Sequence, residues 1–250
     1  AWGCLSGTAG SDQSVCTVCG VGFYSATGNA SGTDTACTAC AAGYTTVGSG
    51  TTGTSASVCS ICAAGYSGTS SGGVSGCSIC SSGSYAPAGN GNSCSQLSCS
   101  NSVDASGHLY VPAEVTGISS YAFNYCSNLK TISFASGSLL KTIGQQAFYQ
   151  SALTSIEIPM SVTSIEYQAF GNCQSLTSAT FASGSLLKTI GSYAFQQSAL
   201  TSIEIPMSVT RIEYQAFGNC QSLTSFKASC ASTMSIDSNA FRSSGLTSVS

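Results

Sequence analysis

A 41-residue stretch of this chain occurs twice almost unchanged, and this repetition constrains the fold more than any other feature. Residues 138–178 recur as residues 185–225, at an offset of 47, and only four of the 41 positions differ. Near-identical segments at a fixed period build the same unit repeatedly, and the units stack and bury a continuous core between them. The second half of the chain is therefore predicted to be a stacked array.

Ala-Phe pairs mark the repeat units. Two slightly different units alternate, because the steps between successive phenylalanines are longer and shorter in turn: Phe123, Phe148, Phe170, Phe195, Phe217 and Phe241. Each unit carries a variant of Leu-x-x-Ile-x-Ile, whose alternation predicts a short strand. In one type a proline ends the strand, since it has no N–H for the ladder; in the other, residues 134–138 or 181–185 take its place. We expect the phenylalanines to form one buried column.

This half of the chain resembles the BspA-like leucine-rich repeats. The pattern I-P-x-x-V-x-x-I-x-x-x-A-F-x-x-C-x-x-L is met from Ile158 onwards, and the resemblance covers about residues 109–250. It implies a curved solenoid of short parallel strands with about six coils, found in surface-exposed and often adhesive proteins of microbes and protists, without catalytic residues. Leu246 opens a further unit that stops at Ser250, which predicts that the repeat array continues.

The first hundred residues have a different composition. They hold eleven of the fifteen cysteines and only two charged residues, and four C-x-x-C pairs recur in them: Cys16 and Cys19, Cys37 and Cys40, Cys59 and Cys62, Cys77 and Cys80. A glycine and then an aromatic residue follow each pair, and Gly, Ser, Thr and Asn fill the intervals. Such turn-forming segments predict small hairpins without a core of their own. Covalent links must then hold them, because burial cannot offset the chain entropy.

Two interpretations of these cysteines compete. The spacing of consecutive pairs fits a four-cysteine zinc site. Disulfides are favoured, because the pairs run on without a break and cysteine-dense, core-poor modules are typical of secreted scaffolds. One scheme joins the second cysteine of each pair to the first of the next: Cys19–Cys37, Cys40–Cys59 and Cys62–Cys77, with Cys4–Cys16 and Cys80–Cys94 at the ends. Cys99 is left over and needs a partner further along or outside the chain.

The segments CTVCGVGFYS, CTACAAGYTT, CSICAAGYSG and CSICSSGSYA resemble the cysteine-rich repeats of extracellular proteins, of the ephrin-receptor-like, TNF-receptor-like and EGF-like kind. The resemblance covers residues 16 to about 99 and implies an extracellular rod or stalk. The fold class is therefore mostly β: a leucine-rich-repeat solenoid preceded by a disulfide-rich array of small hairpins. The predicted domains are a rod at residues 1–100, a linker at 101–108 and the solenoid at 109–250.

Three further cysteines, Cys126, Cys173 and Cys220, recur at the same offset of 47 in the solenoid. Stacked coils advance by about 4.8 Å, so cysteines two coils apart lie about 10 Å from each other, beyond disulfide reach. They are therefore predicted to be buried free thiols. An alternative joins Cys126 to Cys99, and Cys230 has no evident partner.

Candidate interaction residues point outward from the strands: Ser133, Glu157, Thr180, Glu204 and Lys227. They predict a docking face for protein or glycan, with a plain solvated face as the alternative. Asn29 opens the one N-x-S/T site, a glycosylation candidate in a predicted turn. His108, the single histidine, is predicted to lie in a surface loop.

Charge limits the partners. Six basic residues and a net charge of −3 cannot neutralise a phosphate backbone or favour an anionic membrane, and no run reaches the ~18 apolar residues that span a bilayer. No catalytic constellation is present, so neither an enzyme nor a cofactor is indicated. Two extracellular functions remain: a self-associating subunit of a fibre, appendage or wall, and a surface adhesin or receptor ectodomain with a protein or glycan partner. Scarce charge and near-identical coils favour the first.

Overall fold

The computed structural model describes residues 77–86, 93–228 and 234–249, together with seven short strands before residue 69. The chain divides into two compact units, Ala1–Ser95 and Gln96–Ser250. In the part of the chain that is described, no helix is long and apolar enough to cross a membrane.

The first unit consists of very short strands that pair in chain order. β1 pairs with β2, β3 with β4, β5 with β6 and β7 with β8, all antiparallel, and β9 pairs with β10. The predicted small hairpins are therefore confirmed. Their strands are β1 Thr8–Ala9, β2 Thr17–Val18, β3 Phe23–Tyr24, β4 Thr38–Ala39, β5 Tyr44–Thr45, β6 Ile61–Cys62, β7 Tyr66–Gly68, β8 Cys77–Ile79, β9 Ser84–Tyr85 and β10 Ser95–Gln96.

Disulfides link the last hairpins of this unit. Cys62 is bonded to Cys77 and Cys80 to Cys94, which matches two pairs of the sequence-derived scheme. The zinc interpretation is wrong for these four cysteines, because a disulfide sulfur is not a thiolate ligand. The other candidates fall outside the described residues: Cys4, Cys16, Cys19, Cys37, Cys40, Cys59 and Asn29.

The second unit is a parallel solenoid with two strand rows. Its helix α1 spans Cys99–Ser102. The long-strand row contains β11 His108–Val111, β13 Thr131–Phe134, β15 Ser155–Ile158, β17 Ser178–Phe181, β19 Ser202–Ile205, β21 Ser225–Ala228 and the two-residue β23 Ser248–Val249. The short-strand row forms one continuous parallel sheet of β12 Gly117–Ile118, β14 Thr142–Ile143, β16 Ser164–Ile165, β18 Thr189–Ile190, β20 Arg211–Ile212 and β22 Ser235–Ile236.

The core lies between the two rows and the Ala-Phe turns. Within β15 and β19 the exposure alternates as the sequence predicts, with each isoleucine buried and each Ser and Glu exposed. The six phenylalanines of the Ala-Phe pairs stack with centroids 5.0–5.4 Å apart and ring planes within 9° of parallel. Five of them are fully buried, and Phe241 in the last coil is partly exposed. The predicted buried column is confirmed.

Each Ala-Phe turn bends through left-handed backbone. The residue before the alanine and the second residue after the phenylalanine have positive φ in successive coils, for example Gln168 at 51° and Asn172 at 56°. Such conformations are costly for non-glycine residues. Hydrogen bonds between coils offset that cost: the Phe148 N–H donates to the Ala169 oxygen at 2.8 Å, and the Phe170 N–H donates to the Ala194 oxygen at 2.7 Å.

The segment predicted as a linker, residues 101–108, belongs to the solenoid unit. Cys99 is bonded to Cys126, and its N–H donates to the Ala122 oxygen, so α1 is tied to the first coil. The prediction of a free thiol is therefore wrong for Cys126, and the alternative pairing with Cys99 is present. The expectation of a loop is also wrong for His108, because it is the first residue of β11. This segment lacks the repeat pattern, so its attachment to the first coil was not evident.

Cys173 and Cys220 are buried free thiols, as predicted. The Cys173 thiol donates to the Phe148 carbonyl at 2.9 Å, and the Cys220 thiol to the Phe195 carbonyl at 3.0 Å. Burial raises the pKa of the Cys173 thiol to about 11 and raises the pKa of Cys220 as well. Both are therefore neutral, unreactive core residues at physiological pH. Cys230 lies outside the described residues.

Candidate functional site: the strand face and its two grooves

The outward positions of the long-strand row form one surface, which we call the strand face. Two residues of each four-residue strand, the first and the third, point away from the core, because side chains alternate along a strand. The candidate residues predicted from sequence all lie there at third positions: Ser133, Glu157, Thr180, Glu204 and Lys227. Register places Glu157 beside Thr180 and Glu204 beside Lys227.

The long-strand row is interrupted twice. β11 pairs with β13, β15 with β17, and β19 with β21 and β23, but β13 does not pair with β15, nor β17 with β19. Within the described residues, no backbone hydrogen bond joins 131–138 to 155–161 or 178–185 to 202–208. The short-strand sheet continues past both interruptions. The coils are therefore held together behind two local openings.

Proline accounts for these openings. At a paired step the residue after the strand closes the ladder: the Ala135 N–H donates to the Val111 oxygen, and the Ala182 N–H donates to the Ile158 oxygen. At the interrupted steps the equivalent residues are Pro159 and Pro206, which have no N–H to donate. The carbonyls of the preceding strand ends are then left without that donor.

Strand spacing follows the same alternation. The paired strands β11 and β13 begin at His108 and Thr131, whereas the unpaired strands β13 and β15 begin at Thr131 and Ser155, a step that is longer by a single position. The step from β17 to β19 is longer in the same way, and the last step, from β21 to β23, returns to the shorter length and is again paired. An extra residue together with a proline thus marks each interruption.

Each interruption opens a groove on the strand face. The first groove, between residues 132–138 and 157–161, has a volume of about 440 Å³, and the second, between residues 178–185 and 202–208, about 680 Å³. Phe134 and Phe181 are part-exposed in them, although the buried Ile158 and Ile205 occupy the same position in their own strands. Met160 and Met207 border the grooves with 52% and 66% exposure.

The grooves bring four of the five predicted interaction residues together in two equivalent pairs. Ser133 and Glu157 line the first groove, and Thr180 and Glu204 line the second. Lys227 lies one strand beyond, next to Glu204 in register. The phenylalanines and methionines were missed by sequence reasoning. The sequence feature that could have located them is the alternation of the turn at 134–138 with the proline turn at the equivalent point of the next unit.

The carboxylates of the grooves are exposed and available. Within the described residues, neither Glu157 nor Glu204 has a cationic group within 4.0 Å. The one ion pair found among those residues joins Arg211 to Glu213, which lie outside both grooves. His108 is held at the N-terminal end of the strand face, where its ring nitrogens contact the Thr131 hydroxyl at 2.8 Å and the Ser133 hydroxyl at 2.9 Å. No cluster of three or more His, Cys, Asp or Glu side chains in the described part of the chain is placed to hold a metal ion. The arrangement offers apolar contact, hydroxyls and negative charge, which are the means of binding another molecule.

A parallel stack of short strands with one buried column of phenylalanines defines a leucine-rich-repeat solenoid. The sequence profile of the BspA type Leucine rich repeat region matches in six copies, over residues 98–200 and 141–250. These matches cover more than half of the chain, so the chain belongs to the BspA type leucine-rich-repeat family.

Comparison with solved structures finds similar chains, two of which are described as leucine-rich. The pneumococcal vaccine antigen PcpA is 20% identical with a TM-score of 0.38, over 58% of this chain and 50% of that one. A leucine rich cell surface protein of Faecalibacterium prausnitzii is 29% identical with a TM-score of 0.36, over 50% and 39% of the two chains. A leucine-rich repeat protein of Bacteroides ovatus is 19% identical with a TM-score of 0.24, over 56% and 65%. This chain thus spans half or less of the first two. A search of the curated proteins found no match.

Proposed function

We propose that this chain is a non-enzymatic extracellular protein that binds a protein partner through its strand face. The observation that carries the proposal is the pair of equivalent grooves, offset by 47 in the sequence. Each has a part-exposed phenylalanine and a carboxylate that forms no ion pair among the described residues. Membership of a leucine-rich-repeat family supports a binding role, and disulfides support an oxidising, extracellular location.

The spacing of the grooves indicates how a partner fits. They lie two coils apart, and coils advance by about 4.8 Å, so their centres are about 10 Å from each other. A polyproline II segment rises about 3.1 Å per residue and completes a turn in three residues, so its side chains i and i+3 share one face about 9 Å apart. A partner segment that crosses the strands can therefore place side chains i and i+3 in the two grooves. Phe134 and Phe181 favour an apolar anchor, and Glu157 and Glu204 favour a neighbouring Lys or Arg.

Charge reversal in the grooves tests this proposal. The probe is an immobilised array of polyproline II peptides with apolar residues at i and i+3 flanked by lysine, compared with the same peptides flanked by glutamate. We expect the whole chain to prefer the lysine series, and Glu157→Lys with Glu204→Lys to lose that preference. Glu114→Lys is the matched control, because Glu114 is exposed and outside both grooves. Equal retention by both peptide series, or an equal effect of the control, would refute the proposal.

The structural subunit is the second candidate function, and one observation favours it. Large apolar side chains are exposed at the turns that follow the long strands, with exposures of 46–66%: Leu139, Met160, Leu186 and Met207. With a net charge of only −3 there is little repulsion between copies. Negative-stain electron microscopy of native material, with and without reductant, separates the two candidates. Regular filaments support the subunit, and dispersed single particles support the binding protein.

A further inference from the structure

The two near-identical copies differ at four positions, and all four lie on one surface away from the strand face. The differing pairs are Gln145 and Ser192, Gln146 and Tyr193, Tyr149 and Gln196, and Ser164 and Arg211. Position 164/211 begins a two-residue strand, and the other three flank the Ala-Phe pair of the neighbouring coil. The long strands and the groove turns within the copies are identical. The surface formed by short strands and Ala-Phe turns has therefore diverged while the rest has not.

In the first copy this surface is occupied by its own side chains. The Gln145 amide donates to the Tyr121 hydroxyl at 2.8 Å, and the Gln145 N–H donates to Glu166 Oε2 at 3.1 Å. Ser164 stands where the second copy has arginine.

In the second copy a cleft of about 380 Å³ is lined by two of the differing residues, Ser192 and Arg211. Ser192 is shorter than the glutamine it replaces, and both its N–H and its hydroxyl donate to Glu213 Oε2, at 3.1 and 3.0 Å. Arg211 Nε pairs with Glu213 Oε1 at 3.3 Å. Glu213 is thus fully engaged. Arg211 is 67% exposed, and within the described residues its terminal guanidinium nitrogens have no partner.

One aromatic residue, Tyr214, lines the same cleft, and Tyr193 packs against it. Tyr193, which replaces a glutamine, forms edge-to-face contacts with Tyr167 at 5.6 Å and with Tyr214 at 5.4 Å, and Tyr214 lines the cleft. Desolvation first, and then the neighbouring tyrosines, raise the pKa of the Tyr193 hydroxyl. Arg211 and Arg242 are the only arginines of the chain, and the charge of Arg242 also acts on Tyr193.

The chemistry of this cleft fits a saccharide. Asp237 lines it, with one carboxylate oxygen accepting from the Asn239 N–H and the other accepting from no group in the described part of the chain, while Arg211 supplies donors. Carboxylate and guanidinium groups bind vicinal hydroxyls in pairs, and tyrosine rings contact the C–H faces of sugar rings. The charges that line the cleft, Arg211 against Glu213 and Asp237, leave no excess of positive charge to select an anion. β20, the strand that carries Arg211, is paired on both sides, with β18 and with β22, so it offers no edge for an added peptide strand.

We propose that the cleft bounded by Ser192, Arg211, Tyr214 and Asp237 binds a neutral saccharide, and that the Ser192 and Arg211 replacements, together with Asp237 beyond the duplicated segment, adapt the cleft to that ligand. The site is separate from the strand face and does not depend on the function proposed for that face.

The duplication supplies the test. Arg211→Ser, Tyr193→Gln and Ser192→Gln each install the residue that the first copy already carries at the equivalent position, so the fold tolerates them. The full chain is applied to a panel of immobilised neutral oligosaccharides (hexose, N-acetylhexosamine and pentose series) and to acidic ones. We expect binding to a neutral series, a loss of about tenfold in each variant, and little change at high salt.

Reciprocal variants are the controls. Ser164→Arg and Gln146→Tyr alter the first copy and are expected to leave saccharide binding in the second copy unchanged, as is Glu157→Lys on the strand face. The proposal is overturned if no neutral series binds, if binding is confined to acidic glycans and disappears in salt, or if Arg211→Ser and Tyr193→Gln bind as the parent chain does.

Discussion

The two units of this chain are held together by different means. In the first unit the described strands are two or three residues long, and disulfides link Cys62 to Cys77 and Cys80 to Cys94. In the second unit, five phenylalanines are fully buried in one stack, and the described cysteines include two that remain thiols. The difference shows that hydroxyl- and glycine-rich repeats need covalent links, whereas apolar repeats at a regular period stabilise themselves by stacking.

The largest expected effect comes from the buried column. Phe170→Ala removes a fully buried ring that is stacked on Phe148 and Phe195, and should lower the free energy of unfolding by about 3–5 kcal/mol. Phe241→Ala should cost less, because Phe241 is partly exposed. Urea unfolding followed by circular dichroism under oxidising conditions gives both values. Equal losses would mean that the column does not act as the core.

Reduction of the disulfides should destabilise the first unit and leave the solenoid folded. Cys62–Cys77 and Cys80–Cys94 close short loops, with sequence separations of 15 and 14, and each is worth about 3 kcal/mol. With dithiothreitol, limited proteolysis should cut between residues 62 and 94 while the coils from 130 to 228 stay intact. Mass spectrometry of the fragments locates the cuts. Early cleavage within the coils would show that the solenoid also depends on disulfides.

Cys126 and Cys173 occupy equivalent positions, 47 residues apart, but one forms a disulfide and the other is a buried thiol. Replacing each of them compares covalent with non-covalent stabilisation at the same position. Cys126→Ala breaks the bond to Cys99 and should cost about 2–4 kcal/mol. Cys173→Ala removes a thiol that donates to the Phe148 carbonyl and should cost about 1 kcal/mol. Thermal unfolding of the two variants side by side measures the difference, and a smaller cost for Cys126→Ala would show that the tie to α1 adds no stability.

Burial of the Cys173 thiol also predicts that the free energy of unfolding depends on pH. Because the folded-state pKa of Cys173 is about 11, above the ordinary value of 9.0, the neutral thiol contributes stability that is fully present below pH 9 and is lost as the pH rises through 11. From pH 8 to pH 10 the parent chain should lose about 1 kcal/mol more than Cys173→Ala. Urea unfolding at the two pH values measures it. Identical pH dependence in the two proteins would mean that the Cys173 thiol is as exposed to water in the folded state as in the unfolded state.

Sequence periodicity was sufficient for most of the solenoid. The Ala-Phe pairs located the core column, and the alternation in segments such as Ser155–Ile158 identified which side chains point outward. These features depend on neighbours at a fixed period, which the sequence displays directly. The segment that precedes the first long strand, residues 96–107 with Cys99 and α1, has no such period. Its disulfide to Cys126 could not be derived from coil spacing, because that argument excludes only partners within the same column.

The exposure of the groove phenylalanines could not be predicted from the sequence pattern, for a physical reason. Phe134 and Phe181 stand at positions that alternation assigns to the core, and Ile158 and Ile205 are buried there. The phenylalanines are part-exposed because the following strand does not pair, and that depends on whether Pro159 or Pro206 faces a carbonyl that needs a donor. The proline was visible in the sequence. Its consequence for the neighbouring coil appears only when the two are stacked.

The smallest predicted effect compares two equivalent serines in the groove turns. Ser161 donates to the Leu140 carbonyl at 2.7 Å, whereas the Ser208 hydroxyl is buried with no partner in the described part of the chain. Ser161→Ala should cost about 1 kcal/mol, because a hydrogen bond is lost and a carbonyl is left unpaired. Ser208→Ala should cost nothing or stabilise by about 0.5 kcal/mol, because it removes an unpaired buried hydroxyl. Thermal unfolding of the two variants and the parent chain resolves the difference. Equal costs would mean that the copies, which share the same sequence at this turn, also share the same hydrogen bond, and that the second groove is no looser than the first.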